Sequence, residues 1–73
     1  LKTGKNTPAT LNAANEVAVE AFLNKQIGFL DISKTIESVL DAIPKVNLDT
    51  LASVVENDQI SRQVAKSVIE SRA

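Results

Sequence analysis

The sequence lacks most of the side chains that enzymes use for chemistry. Among its 73 residues there is no cysteine and no histidine. Their absence excludes disulfides and thiolate chemistry, and it removes the commonest general base and the commonest zinc ligand. A hard cation held by carboxylates is the metal option that remains.

Aromatic side chains and an excess of one charge are missing too. There is no tryptophan or tyrosine, and two phenylalanines cannot form a stacking platform for nucleic-acid bases. Lys and Arg number 8 against 9 Asp and Glu, so the formal net charge is −1. That balance creates no field to attract nucleic acid or an anionic membrane surface. No apolar run approaches the roughly 20 residues that cross a bilayer. We expect one small domain.

A first helix is predicted from residue 8 to about residue 25. Thr7 is a suitable N-cap, and Pro8 is well tolerated at the first helical position. Gly28 is predicted to end the helix as the residue just past its C-terminus. At 100° per residue one apolar stripe is expected. Its members are Leu11, Ala14, Ala18, Ala21 and Phe22.

The rest of the chain also follows the helical period. Asp31 is the expected N-cap of a second helix, which Pro44 stops at Ile43. A short third helix is predicted over residues 48–55, then a polar break at 56–58, then a last helix over about 59–71. No segment alternates with period two, so no strand is expected. The predicted fold is all-α, a small helical bundle of three main helices and one short helix.

Asn15 is the most unusual polar residue, because the predicted wheel places it toward the core between Phe22 and Val19. A buried amide needs partners, since an unmade hydrogen bond costs about 1–3 kcal/mol. The amide could bind a ligand, or it could bond to the backbone of a neighbouring helix or loop. The structural interpretation is preferred.

Carboxylates and serines give weaker candidates. Asn12 lies at the edge of the apolar stripe, and Glu16 and Glu20 are one turn apart and could share a cation, although two carboxylates make a poor site. Asp31 and Ser33 resemble the start of a carrier-protein attachment helix, but Ile32 separates them, so a simple N-cap is preferred.

The last predicted helix carries basic residues and a serine. Arg62, Lys66 and Arg72 are too few for a recognition helix, and a solvated face is the expected role. Ser61 falls on the apolar side without a base to activate it. It is therefore interpreted as a small residue that allows close helix packing.

Two stretches carry a family resemblance. "PATLNAANEVAVEAFLNKQIGFLDI" strongly resembles the C-terminal helical domain of 1-deoxy-D-xylulose 5-phosphate reductoisomerase. "ENDQISRQVAKSVI" fits the same domain through Asp58, Ser61, Arg62 and Ala65, with Ser61 where the family would have Ala. The resemblance extends over essentially the whole chain from about Thr7.

The resemblance implies a longer parent enzyme of the non-mevalonate isoprenoid pathway. That family converts 1-deoxy-D-xylulose 5-phosphate to 2-C-methyl-D-erythritol 4-phosphate with NADPH and Mg²⁺ or Mn²⁺, and it works as a homodimer. Its metal, phosphate and nicotinamide contacts lie in domains whose motifs are missing from this sequence. No catalytic, cofactor-binding or metal residue is therefore expected in these 73 residues, and the chain alone is expected to be inactive.

The resemblance also predicts how the chain divides. Residues 1–6 are expected to be the remnant of a preceding helix and its loop, and residues 7–73 the C-terminal helical bundle domain. Part of the Leu11–Ala18–Phe22 stripe should then be exposed or covered by another copy. The expected partners are the catalytic domain of the parent chain and a second copy, in the bacterial cytoplasm or, less favoured, a plastid. The alternative hypothesis is an independent helical interaction module.

Overall fold

The computed structural model describes residues 5–72, and these form three helices in an elongated bundle of 36 × 21 × 17 Å. Helix α1 spans Thr7–Leu23, α2 spans Leu30–Ala42 and α3 spans Leu51–Arg72. Each helix packs against the other two. No strand occurs in the described part of the chain, and the all-α prediction is confirmed. The predicted helical remnant at residues 1–4 lies outside the described residues.

The buried face of α1 confirms Ala14, Ala18 and Ala21 of the predicted stripe, and Phe22 packs half-buried against the core, but Leu11 does not belong to it. Leu11 is 44% exposed and Asn15 is exposed, so the expectation that Asn15 points into the core was wrong. The residues that face the bundle are mostly small, and small side chains let the helix backbones approach closely. The prediction gave too much weight to Leu11. The buried side chains of α1 are Thr10, Ala13, Ala14, Val17, Ala18 and Ala21.

The C-terminus of α1 is formed by Lys25, not by Gly28 as predicted. Lys25 has φ 64°, in the left-handed region, whereas Gly28 has no positive φ. The Lys25 N–H donates to the Phe22 carbonyl at 3.0 Å, and the Gln26 N–H donates to the Ala21 carbonyl at 2.9 Å. These two bonds form a Schellman motif, which usually has glycine at the left-handed position.

Helix α2 begins one residue before Asp31, which corrects the predicted N-cap. Asp31 lies in the first turn, and its carboxylate reaches back to accept the Gly28 N–H at 3.0 Å. Its other oxygen lies 3.5 Å from Nη1 of Arg72 at the end of α3. Ile43 is extended and precedes Pro44, so the predicted stop is confirmed to within one residue.

Helix α3 is continuous, so the predicted break at residues 56–58 and the separate short helix were wrong. That segment contains no glycine or proline, and Asn57 points inward while its neighbours face outward. Thr50 and Ser53 begin the helix with reciprocal bonds of 3.0 and 3.1 Å between each side-chain oxygen and the other backbone N–H. Such reciprocal capping satisfies donors that the first turn would leave unpaired.

The hydrophobic core lies where the three helices meet. Val39 of α2 and Ala65 of α3 are both fully buried there, and Ile43 closes the end of α2. The inward face of α3 changes character along its length. Asn57 and Ser61 occupy one end of the bundle, followed at the same spacing of four by Ala65 and Ile69. The polar end of that face forms the network described next.

Candidate functional site: a buried polar network

Asn6 is the centre of a hydrogen-bond network at the start of α1. It is 2% exposed and is the N-cap residue of α1, but its side chain does not cap the helix. Its amide nitrogen donates to the Pro44 carbonyl at 2.9 Å and to Oδ1 of Asn57 at 3.0 Å. Its amide oxygen accepts the Val46 N–H at 3.0 Å. The Asn6 side chain therefore holds the connection between α2 and α3 against the start of α1 and also bonds to α3 itself.

The network continues through Asn57 to α1. The Asn57 amide nitrogen donates to Oγ1 of Thr10 at 3.2 Å, and the Ser61 hydroxyl donates to the same oxygen at 3.3 Å. Asn57 is 8% exposed, Thr10 1% and Ser61 fully buried. All four side chains are neutral, so none can act as an acid or base near pH 7. The arrangement joins α1, α3 and the α2–α3 connection.

The structural role predicted for Asn15 is performed by Asn6 instead. The sequence signals were weak, because Asn6 lies in a loop and Asn57 lies within a charged run. The spacing of four from Asn57 through Ser61 to Ala65 was the available clue. Ser61 is buried between helices as predicted, and it also donates a hydrogen bond.

Arg62 joins α1 to α3 on the surface beside the network. Its Nη2 lies 2.8 Å from Oε1 of Glu16, and its Nε lies 2.9 Å from Oδ2 of Asp58. Hydrogen bonds first to Asp58 and then to Glu16 raise the pKa of the Arg62 guanidinium above its ordinary value. All three side chains are more than a third exposed, so solvent screens the interaction.

The carboxylates do not fit a metal ion. Glu16 already contacts Arg62 and accepts the Asn12 amide at 3.5 Å. Within residues 5–72, no group of three or more Asp, Glu, His or Cys side chains could hold a cation. With only two glycines in the sequence, there is also no glycine-rich turn for the pyrophosphate of a dinucleotide. The remaining weak candidate, Ser33, donates to the carbonyl of Leu30 at 3.4 Å.

Comparison with known proteins identifies the family. The family model described as the DXP reductoisomerase C-terminal domain matches residues 1–64. The chain belongs to this family.

Full-length relatives and a solved structure agree with this assignment. The chain is 46% identical over 70 residues to 1-deoxy-D-xylulose 5-phosphate reductoisomerase of Vesicomyosocius okutanii, covering 96% of this chain and 18% of the relative. For the enzyme of Chlorobium phaeovibrioides the identity is 48% over 71 residues, covering 97% and 18%. The solved reductoisomerase from Zymomonas mobilis in complex with NADPH superposes with a TM-score of 0.89 at 45% identity, covering 94% and 18%. The chain thus spans about a fifth of the length of these relatives.

This DXP reductoisomerase C-terminal domain exposes apolar side chains at both ends. At the α1–α2 turn, Leu23 and Phe29 are each 70% exposed and Leu30 is 73% exposed. At the start of α3, Leu51 is 79% exposed. In the predicted apolar stripe of α1, Leu11 is exposed while Ala18 is buried. None of the helices described over residues 5–72 combines the length and apolar content of a membrane span.

Proposed function

We propose that this chain is the C-terminal supporting domain of a longer 1-deoxy-D-xylulose 5-phosphate reductoisomerase. The longer enzyme would convert that substrate to 2-C-methyl-D-erythritol 4-phosphate with NADPH. The observation that carries the proposal is the likeness to the Zymomonas mobilis enzyme, at 45% identity and a TM-score of 0.89. The neutral buried network supports a mechanical role, because its polar groups bond to each other and leave none directed at a substrate.

The cofactors of the longer enzyme would bind outside this chain. The relative's complex with NADPH supports a nicotinamide cofactor. The resemblance adds Mg²⁺ or Mn²⁺, and the carboxylates of residues 5–72 do not fit such an ion. We assign residues 7–73 to the domain and no catalytic residue to it. We further propose a homodimeric parent, as the resemblance implies. We place it in the bacterial cytoplasm, since the relatives named above are bacterial.

A support role predicts a specific kinetic result. Catalytic geometry is sensitive to displacements near 1 Å, so loosening the domain should slow the reaction without touching substrate. The Asn57→Ala variant of the full-length enzyme should lower kcat severalfold while leaving the Kd for NADPH unchanged. Thr35→Val is the matched control, because Oγ1 of Thr35 has no hydrogen-bond partner within residues 5–72. NADPH absorbance reports the rate, and a thermal melt reports domain stability.

Two results would contradict the proposal. A changed Kd for NADPH would mean that the domain touches the cofactor. An unchanged kcat in a variant with a lowered melting temperature would remove the support role. Immunoblotting of the source cells decides the alternative hypothesis, since a band only at the size of the 73-residue chain would favour an independent interaction module.

A further inference from the structure

The α1–α2 turn presents apolar side chains on a rigid frame. Leu23, Phe29 and Leu30, here called the apolar turn, lie within eight residues and are each at least 70% exposed. An exposed apolar group of this kind marks an interaction surface more often than a free surface. The position is not a frayed loop, because the buried Ile27 anchors it to the core.

Several interactions fix the conformation of this turn. The Schellman motif ends α1, and the Asp31 carboxylate holds the Gly28 N–H at 3.0 Å. Phe29 packs edge-to-face on Phe22, with ring centroids 5.9 Å apart and planes at 70°. A side chain already held in one orientation loses little entropy on binding, and aromatic side chains are frequent anchors of interfaces.

The length of the relatives indicates that the partner of the apolar turn is the rest of the same polypeptide. This domain accounts for 18% of the relative's length, and the family is by its description the C-terminal domain. In the longer polypeptide, the remainder therefore joins at the start of α1. The 17 residues of α1 separate that junction from the apolar turn by about 25 Å.

We infer that the apolar turn docks into an apolar pocket of the preceding part of the same longer polypeptide. This inference rests on the proposed function and deepens it. A domain attached only through the segment before α1 could swing about that point. A second contact about 25 Å away would fix its orientation, which is what a supporting domain requires. Because the partner is tethered, its effective concentration is in the millimolar range, and a small apolar contact is sufficient.

Cysteine labelling of the full-length enzyme tests the inference with a matched pair of variants. Leu30 and Leu51 are similarly exposed in this domain, at 73% and 79%, and lie at opposite ends of it. Leu30→Cys and Leu51→Cys are each labelled with iodoacetamide, and peptide mass spectrometry separates these sites from native cysteines. We expect Leu30→Cys to react at least tenfold more slowly than Leu51→Cys, at a ratio that is independent of protein concentration.

Other outcomes overturn the inference. Fast labelling of both variants would mean that the turn is exposed in the full-length enzyme and is not docked. Protection of Leu30→Cys that disappears on dilution would assign the surface to a second copy of the chain. NADPH oxidation by the same Leu30→Cys protein is measured separately. An active enzyme in which both variants label fast would end the docking inference and leave the proposed function standing.

Discussion

Two buried threonines should respond in opposite directions to the same substitution. Thr10 and Thr35 are 1% and 0% exposed. Oγ1 of Thr10 accepts hydrogen bonds from Asn57 and Ser61, whereas Oγ1 of Thr35 has no partner in the part of the chain that the structure describes. Replacing either residue with valine keeps the branched shape and removes the hydroxyl.

The magnitudes follow from the partners. A buried hydroxyl without a hydrogen bond costs about 1–3 kcal/mol, so Thr35→Val should raise the free energy of unfolding by about 1 kcal/mol. Thr10→Val leaves two buried donors without their acceptor, at about 1–3 kcal/mol each. Because the Ser61 hydroxyl can turn to another acceptor, we expect a net loss of about 2–3 kcal/mol. The helix propensities of threonine and valine are nearly equal, so they do not affect the comparison.

Urea denaturation followed by circular dichroism measures both effects, because the chain has no tryptophan or tyrosine for fluorescence. With equal slopes, the midpoints report the free-energy differences directly. A domain of this size has only a few kcal/mol of net stability, so Thr10→Val is measured in the presence of a stabilising osmolyte, as is its reference. Midpoints that move in the same direction for both variants would refute the reasoning from hydrogen-bond partners.

Three further predictions concern the turn, the core and the surface ion pair. Lys25→Gly should raise the free energy of unfolding by about 1 kcal/mol, because glycine adopts the left-handed conformation without strain. Gly28→Ala should change it by less than about 0.5 kcal/mol. Equal effects of the two variants in urea titrations would mean that Lys25 is not the left-handed residue that ends α1. Val39→Ala should lower the free energy of unfolding by about 2–3 kcal/mol, and with it the melting temperature, because Val39 is fully buried among the three helices. A loss below about 1 kcal/mol would mean that the surrounding side chains fill the space that the valine leaves. Arg62→Gln should lower the urea midpoint in low salt but hardly at all in 1 M NaCl, because the ion pairs of Arg62 are partly exposed and the screening length in 1 M salt is about 3 Å. A shift of the midpoint that does not depend on salt would mean that Arg62 does not stabilise the domain through its charge.

Residue spacing and turn signals predicted some elements better than others. Helix α2 was predicted to within a residue or two because its apolar residues repeat cleanly and Pro44 follows Ile43. The face of α1 was predicted in part, because Ala14, Ala18 and Ala21 are buried as expected. The large side chain of Leu11 drew the predicted stripe away from the residues that are also buried, Thr10, Ala13 and Val17. The break in α3 was wrong because Glu56 and Asp58 suggested a loop, while Asn57 between them makes its contacts inside the bundle.

The network was beyond prediction for a different reason. Its bonds join residues 38 to 51 positions apart, and no local pattern shows that Asn6 will lie against Pro44 or Asn57. A polar residue in a loop usually faces water, so nothing in the sequence distinguished Asn6 from Asn47. The family resemblance was visible because the matching stretch, residues 8–32, is long.

The polar end of α3 also determines the register of α3 against α1. Four of the six buried residues of α1 are alanines, and such small, similar side chains discriminate weakly between registers of α3 that differ by one turn, about 5.4 Å. After such a shift, Asn57 and Ser61 would no longer meet Thr10, and Asn6 would lose Asn57 as a partner. The polar contact at one end of the α1–α3 interface thus selects a single register, as one buried asparagine does in a coiled coil. The bundle therefore has one defined length, and the distance between its two apolar ends is fixed with it.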